Sequence, residues 1–154
     1  SSLDCLVIPI GGGGLIAGDY TSNNLYRMSN TLTSEGDDPL ILTIQPPPVH
    51  AFPESLEFMG IYVDVIPGVG LASGDAEDIE PEMMVSWSDD GTNFVGNRLI
   101  KIGRMGDTIK RAKTTRLGQS KRGGGGRTFR FSVSADVVKG IMGAAIDVNK
   151  VAAA

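Results

Sequence analysis

The stretch Met83–Gly91, Met-Met-Val-Ser-Trp-Ser-Asp-Asp-Gly, constrains the fold more than any other part of the chain. Met83, Val85 and Trp87 alternate with Met84, Ser86 and Ser88, and a period of two is what a strand with one buried face requires. Asp89, Asp90 and Gly91 end the strand. Asp-Gly after an alternating run predicts a tight hairpin turn, because primed turns need φ > 0, which Gly adopts at no steric cost. Trp87 is the only Trp in the chain. With the largest apolar area of any residue type, it is the expected core anchor of an antiparallel sheet. No catalytic grouping surrounds it.

The flanking sequence repeats the same signals. Leu3–Ile10 reads as a strand that Pro9 confines to a sheet edge or a strand end. Leu15–Asp19 and Leu25–Met28 read as a strand–turn–strand unit around Thr21–Asn24, and Thr31–Pro39 as a polar loop. Leu40–Gln45 is a strand stopped by Pro46, Pro47 and Pro48. Leu56–Ile66 is the longest strand candidate, with a bulge expected at Gly60, where the alternation breaks. Gly68–Pro81 is an acid-rich loop. Arg98–Ile102 is the return strand after the Asp-Asp-Gly turn. Asp107–Thr115 has no assigned state, Arg116–Gln119 and Thr128–Ser134 are strands, and Ile141–Val148 is the last. Phe129, Phe131 and Val133 share one face of theirs. No stretch carries a helical apolar period, and about eight to ten short strands separated by turn signals predict an all-β, antiparallel β-sandwich, with the jelly roll as one form it could take. One domain spanning residues 1–154 is expected at this length. No apolar run approaches the roughly 20 residues of a membrane helix, and no signal peptide is recognisable. The single Cys5 rules out an internal disulfide framework.

The net charge of −4 conceals a sharp polarity: residues 1–100 hold 15 acids and 2 bases, whereas 101–130 hold 10 bases and 1 acid. Three readings follow. Strands from the two halves interleave their charges within one chain. Alternatively, the acidic face of one subunit meets the basic face of the next. Or the basic segment meets nucleic acid, although no aromatic residue interleaves with the bases before Phe129 and Phe131.

Few groupings could carry chemistry. Leu6–Gly18, with Gly11–Gly14 inside it, resembles the phosphate-binding glycine loop of pyridoxal-phosphate enzymes of the serine/threonine dehydratase type. The resemblance stops at Asp19–Asn24, which reads as a turn rather than a helix, and no segment resembles the family's Schiff-base lysine motif. No cofactor is expected. Gly11–Gly14 and Gly123–Gly126 are identical four-glycine blocks. They read as flexible joints standing in place of segments removed from a longer parent. Ser88–Phe94 resembles the Asp box of sialidase-type propellers, itself a structural turn. Asp89 and Asp90 read as a solvated turn rather than a Ca²⁺ site, which needs six to eight oxygens. His50, the only His, has no Cys or second His nearby, so no zinc or other metal site is expected. The carboxylates Asp75, Glu77, Asp78, Glu80 and Glu82 read as a solvated loop rather than an acid–base pair.

From Leu15 to Val148 the chain resembles the C-terminal part of the tail hub or nozzle proteins of short-tailed bacteriophages, a family also described as packaged-DNA stabilisation proteins. Ala17–Tyr26, Gly68–Leu71, Pro81–Gly91, Arg116–Gly118 and Arg127–Arg130 carry the likeness in register. Family members are several times longer, and the second glycine block falls where they have a short hairpin loop; both departures fit a shortened form. The resemblance implies a non-enzymatic virion protein of the phage tail, assembled in the host cytoplasm as a ring homo-oligomer. It would help to retain and deliver packaged DNA and touch other tail proteins such as adaptor, spike or fibre, with no membrane partner. Lys110, Arg111, Lys113 and Arg116 are the candidate subunit or DNA contacts. The alternative is a carbohydrate- or surface-binding β module that docks a fibre or spike.

Overall fold

The computed structural model describes residues 7–10, 14–18, 24–29, 34–35, 38–107, 111–120 and 125–151. Contacts divide the chain into two compact units, Ser1–Leu32 and Thr33–Ala154. In the first, β1 (Val7–Ile10), β2 (Gly14–Gly18) and β3 (Leu25–Met28) form an antiparallel sheet in chain order. Pro9 lies on the edge strand β1, as expected for a residue without an N–H. The predicted strand–turn–strand unit appears as β2 and β3, registered Leu15 to Met28. Leu3–Leu6, including Cys5, and Gly11–Gly13 lie outside the described residues.

The second unit contains β4 (Ser34–Glu35), β5 (Asp38–Pro39), β6 (Leu42–Ile44), β7 (Ser55–Val65), a short helix α1 (Ala76–Ile79), β8 (Glu82–Ser88), β9 (Val95–Lys101), β10 (Arg111–Gln119), β11 (Thr128–Val133) and β12 (Ile141–Val151). β4 and β5 pair as a small hairpin within the stretch expected to be loop. Two antiparallel sheets, ordered β10-β7-β12 and β6-β11-β8-β9, supply the layers of the expected sandwich. That makes seven strands among the described residues, where a jelly roll has eight.

The alternation read in the sequence fixes which side chains enter the space between the layers. Phe129 pairs with Trp87 and Phe131 with Val85 across β11 and β8, which sets these side chains on one face. From the other sheet, Phe58 meets Phe129 edge-on, with ring centroids 5.4 Å apart. Ile61, Val63, Met83, Val85 and Phe129 are fully buried. Each such side chain contributes about 1.5–3 kcal/mol through its removal from water. Trp87 is only half-buried and packs against the rim of this cluster.

β7 is the central strand of its sheet, and its inward set changes parity midway, from Leu56 and Phe58 to Ile61, Val63 and Val65. A bulge makes the change. Gly60 pairs with Asp147 and Phe58 with Val148, so Met59 is the unmatched residue, next to the glycine where the bulge was expected.

Several local expectations are corrected. The Asp-Asp-Gly segment does not close a tight two-residue turn, since β8 ends at Ser88 and β9 begins only at Val95. Gly91 nonetheless takes positive φ, 78°. The acid-rich loop holds α1, which at four residues is too short to show a helical period in the sequence. The segment from Arg111 to Gln119 is one strand, whose alternation is broken by a bulge between Thr115 and Gly118. The last strand runs on to Val151.

Candidate functional site

The loop joining β8 to β9 is built on one carboxylate. Asp90 Oδ1 accepts from the backbone N–H groups of Thr92 (2.9 Å) and Asn93 (2.7 Å) and from the Ser88 hydroxyl (2.7 Å), while Oδ2 accepts from the Asn93 side-chain amide (2.7 Å). The Asn93 N–H, then the Asn93 amide, the Ser88 hydroxyl and the Thr92 N–H hold this carboxyl far below the usual carboxylate range. A side chain so occupied organises a turn.

The neighbouring Asp89 faces the other way and binds Arg127, the first residue after the second glycine block. Arg127 is 3% exposed. Its Nε and one terminal nitrogen grip both Asp89 oxygens at 2.6 and 2.8 Å, and its terminal nitrogens donate to the carbonyls of Leu117 (2.6 Å) and Gln119 (2.7 Å) on β10. The guanidinium also lies 4.8 Å from the Phe58 ring centre and 5.7 Å from that of Trp87. One side chain therefore ties the β8–β9 loop of one sheet to the edge strand β10 of the other. Asp89 and Asp90 are spent on separate donors and do not converge on a shared cation. Just before this clamp, Gly126 takes φ 95°, and a Cβ there would come within 2.7 Å of the Val49 carbonyl oxygen. Val49 and Arg127 exchange backbone hydrogen bonds at 2.9 Å in both directions. The last glycine of the block is thus a fitted position. Gly123 and Gly124 lie outside the described residues.

Much of the charge polarity is consumed within the chain. Glu80 accepts from Lys101 at 2.8 Å and from Arg104 at 2.9 Å. The Arg104 hydrogen bond, followed by that of Lys101, lowers its carboxyl from 4.5 to about 2. Arg111 pairs with Asp64 at 2.8 Å and Lys150 with Glu54 at 3.1 Å. Arg130 lies 3.6 Å from the Phe94 ring centre and bonds Gln45. In the acid-rich loop, Asp78 accepts from the Asp136 N–H at 2.8 Å.

Six cations have no ion pair among the described residues: Arg27, Arg98, Lys113, Arg116, Arg130 and Lys139. Of these, Arg98, Lys113 and Arg116, together with Thr114 and Thr115, line one open cleft of about 620 Å³. It lies where β9, the edge of one sheet, runs beside β10, the edge of the other. Both strands are bulged there. On β9, Gly96 and Asn97 take positive φ (99° and 32°), and on β10 Arg116 does (60°). Such bulges re-aim side chains at sheet edges. Of the four predicted contact residues, Lys113 and Arg116 thus come together, with the Lys113 ammonium 5.0 Å from the Tyr62 ring centre. Arg111 is drawn off to Asp64, and Lys110 lies outside the described residues. Arg98 was missed because it stands in the acidic part of the chain; only the pairing of Val85 with Arg98 and the course of β9 past β10 bring it here. His50 is exposed beside Gly126.

No curated protein matches the chain. A protein-family model described as "Bacteriophage P22 Gp10, beta-sandwich" matches residues 56–149, from the second residue of β7 to near the end of β12. That span contains the three buried phenylalanines Phe58, Phe129 and Phe131, the Asp89–Arg127 clamp and the cationic cleft, and on this match the chain belongs to that family, the β-sandwich part of a tail hub protein of short-tailed bacteriophages.

Proposed function

We propose that the chain is a load-carrying part of the phage tail hub, packing into a ring that helps to retain packaged DNA and lets it pass at ejection. The observation that carries this reading is the family match over residues 56–149, a family of tail structural proteins rather than of enzymes. The structure adds physical support. The tie between layers is an internal ion pair reinforced by backbone carbonyls, a device for rigidity rather than turnover.

The test has two arms. Antibody raised against this chain should label the tail of intact virions in electron micrographs; label confined to the capsid, or none, would sink the assignment. The full-length parent should run as a ring of several subunits in native mass spectrometry; a monomer would remove the ring from this reading. A glycan array positive for the isolated chain would favour a module that docks a fibre or spike.

A further inference from the structure

We propose that the cleft between β9 and β10 is a phosphate-binding groove that takes the sugar–phosphate backbone of DNA through Arg98, Lys113 and Arg116, with the Thr114 and Thr115 hydroxyls as additional donors. Naming DNA as the source of the phosphates rests on the tail reading above; the groove's preference for phosphate does not.

Besides the internally paired cations, Arg130 is held on the Phe94 ring and Gln45, Lys139 donates to the Leu40 carbonyl, and Arg27 belongs to the first unit. The other three described cations, Arg98, Lys113 and Arg116, line a single concavity in which no carboxylate takes part. Two guanidinium forks, an ammonium and two hydroxyls form a set made only of donors in its charged members, suited to oxygens that carry charge and accept from several directions. A lone carboxylate would leave most of the positive charge uncompensated, whereas successive phosphates along a strand supply one charge for each cation. The competing occupant is a neighbour's acidic loop, in which Glu80 and Asp78 already hold donors of their own chain and Asp75, Glu77 and Glu82 are left to offer. Arg116 adds a second line of support. It keeps a left-handed backbone at φ 60°, unfavourable for a side chain with a Cβ, at the bulge that carries its guanidinium to the cleft. Contacts of this kind fix a backbone without reading bases, so the groove binds without regard to sequence.

The full chain is titrated with a fluorescein-labelled DNA duplex by anisotropy over a series of salt concentrations. Three contacts predict a log K against log salt slope of about −2.7, with each single substitution making it shallower by about 0.9. The net charge of −4 disfavours binding elsewhere on the surface, which makes the slope diagnostic. Arg116→Gly is the cleanest variant, since glycine accepts the φ of 60° and the fold is kept while the guanidinium goes. Arg98→Ala and Lys113→Ala complete the set. Lys150→Ala, on the far strand β12, is the control and should leave the slope unchanged. Inorganic phosphate, followed by ³¹P line broadening, and a peptide with the sequence of residues 75–82 are the competing ligands. Duplex binding that weakens with each groove substitution supports the proposal. Phosphate broadening lost in the triple variant, without duplex binding, supports the anion site and removes DNA as its source, whatever the virion labelling shows. Equal duplex binding by the triple variant, or displacement by the acidic peptide alone, overturns it.

Discussion

At Arg127 a full positive charge sits 3% exposed between two sheets, and every contact it makes is long-range or comes from a backbone carbonyl. Removing one partner of a buried pair strands the other, at a cost of about 3–5 kcal/mol. Arg127→Met should therefore lower the urea midpoint by an amount equivalent to about 3 kcal/mol or more. Arg127→Lys should recover only part, because an ammonium cannot span a carboxylate and two carbonyls as the fork does. Nothing in the neighbourhood of Arg127 in the sequence announces this role. It stands after four glycines, and its acid lies 38 positions upstream. Asp90 is the opposite case. Its partners Ser88, Thr92 and Asn93 are within three residues, and the Ser-Asp-Asp-Gly run marks a turn, though a tighter one than the loop that forms between Ser88 and Val95.

Among the elements, β11 followed its alternation from Phe129 on, because it has one buried face and a one-residue slip would turn the apolar set to water. On β8 the alternation holds only from Met83 to Val85, after which Ser86 and Ser88 are buried and Trp87 is half-buried. Bulges explain where the reading of β10 and β9 failed. Each inserts a residue, shifts the parity and hides a continuous strand from a period-two test. Gly96 is the most exposed to test of these positions. It takes φ 99°, and a Cβ there would lie 2.2 Å from the Trp87 ring. Gly96→Ala should destabilise by about 1–3 kcal/mol through strain and overpacking. It should also shift the fluorescence of Trp87, the only indole, toward that of a water-exposed ring. The second glycine block gives a contrasting prediction. Inserting four residues before Gly125 lengthens the β10–β11 connection by about half and should cost less than about 0.6 kcal/mol in urea unfolding, since closure entropy grows slowly with loop length. Gly126→Ala should cost more, because its φ of 95° and the Val49 carbonyl leave no room for a Cβ.

For the molecule as a whole, charge polarity is the property with the widest consequences. Glu80 joins the acidic loop to the basic segment, with its carboxyl lowered from 4.5 to about 2. A depressed carboxyl stabilises the fold above the unfolded value and loses that contribution as pH falls through the folded one. The stability gap between the unaltered chain and Glu80→Gln should therefore be constant above about pH 5 and close between pH 4.5 and 2, followed by urea unfolding at each pH. The sequence by itself determined the all-β class, the layered sandwich, the inward face of β11 and the bulge beside Gly60, because turn signals and alternation are carried by residues within a few positions of one another. Tertiary structure alone decided that Arg127 is a clamp, that Arg111 is spent on Asp64, and that Arg98 joins Lys113 and Arg116 in one cleft. Those outcomes depend on which strand edges meet and on where bulges turn the side chains. Strand pairing sets both across tens of residues, and composition carries no record of it.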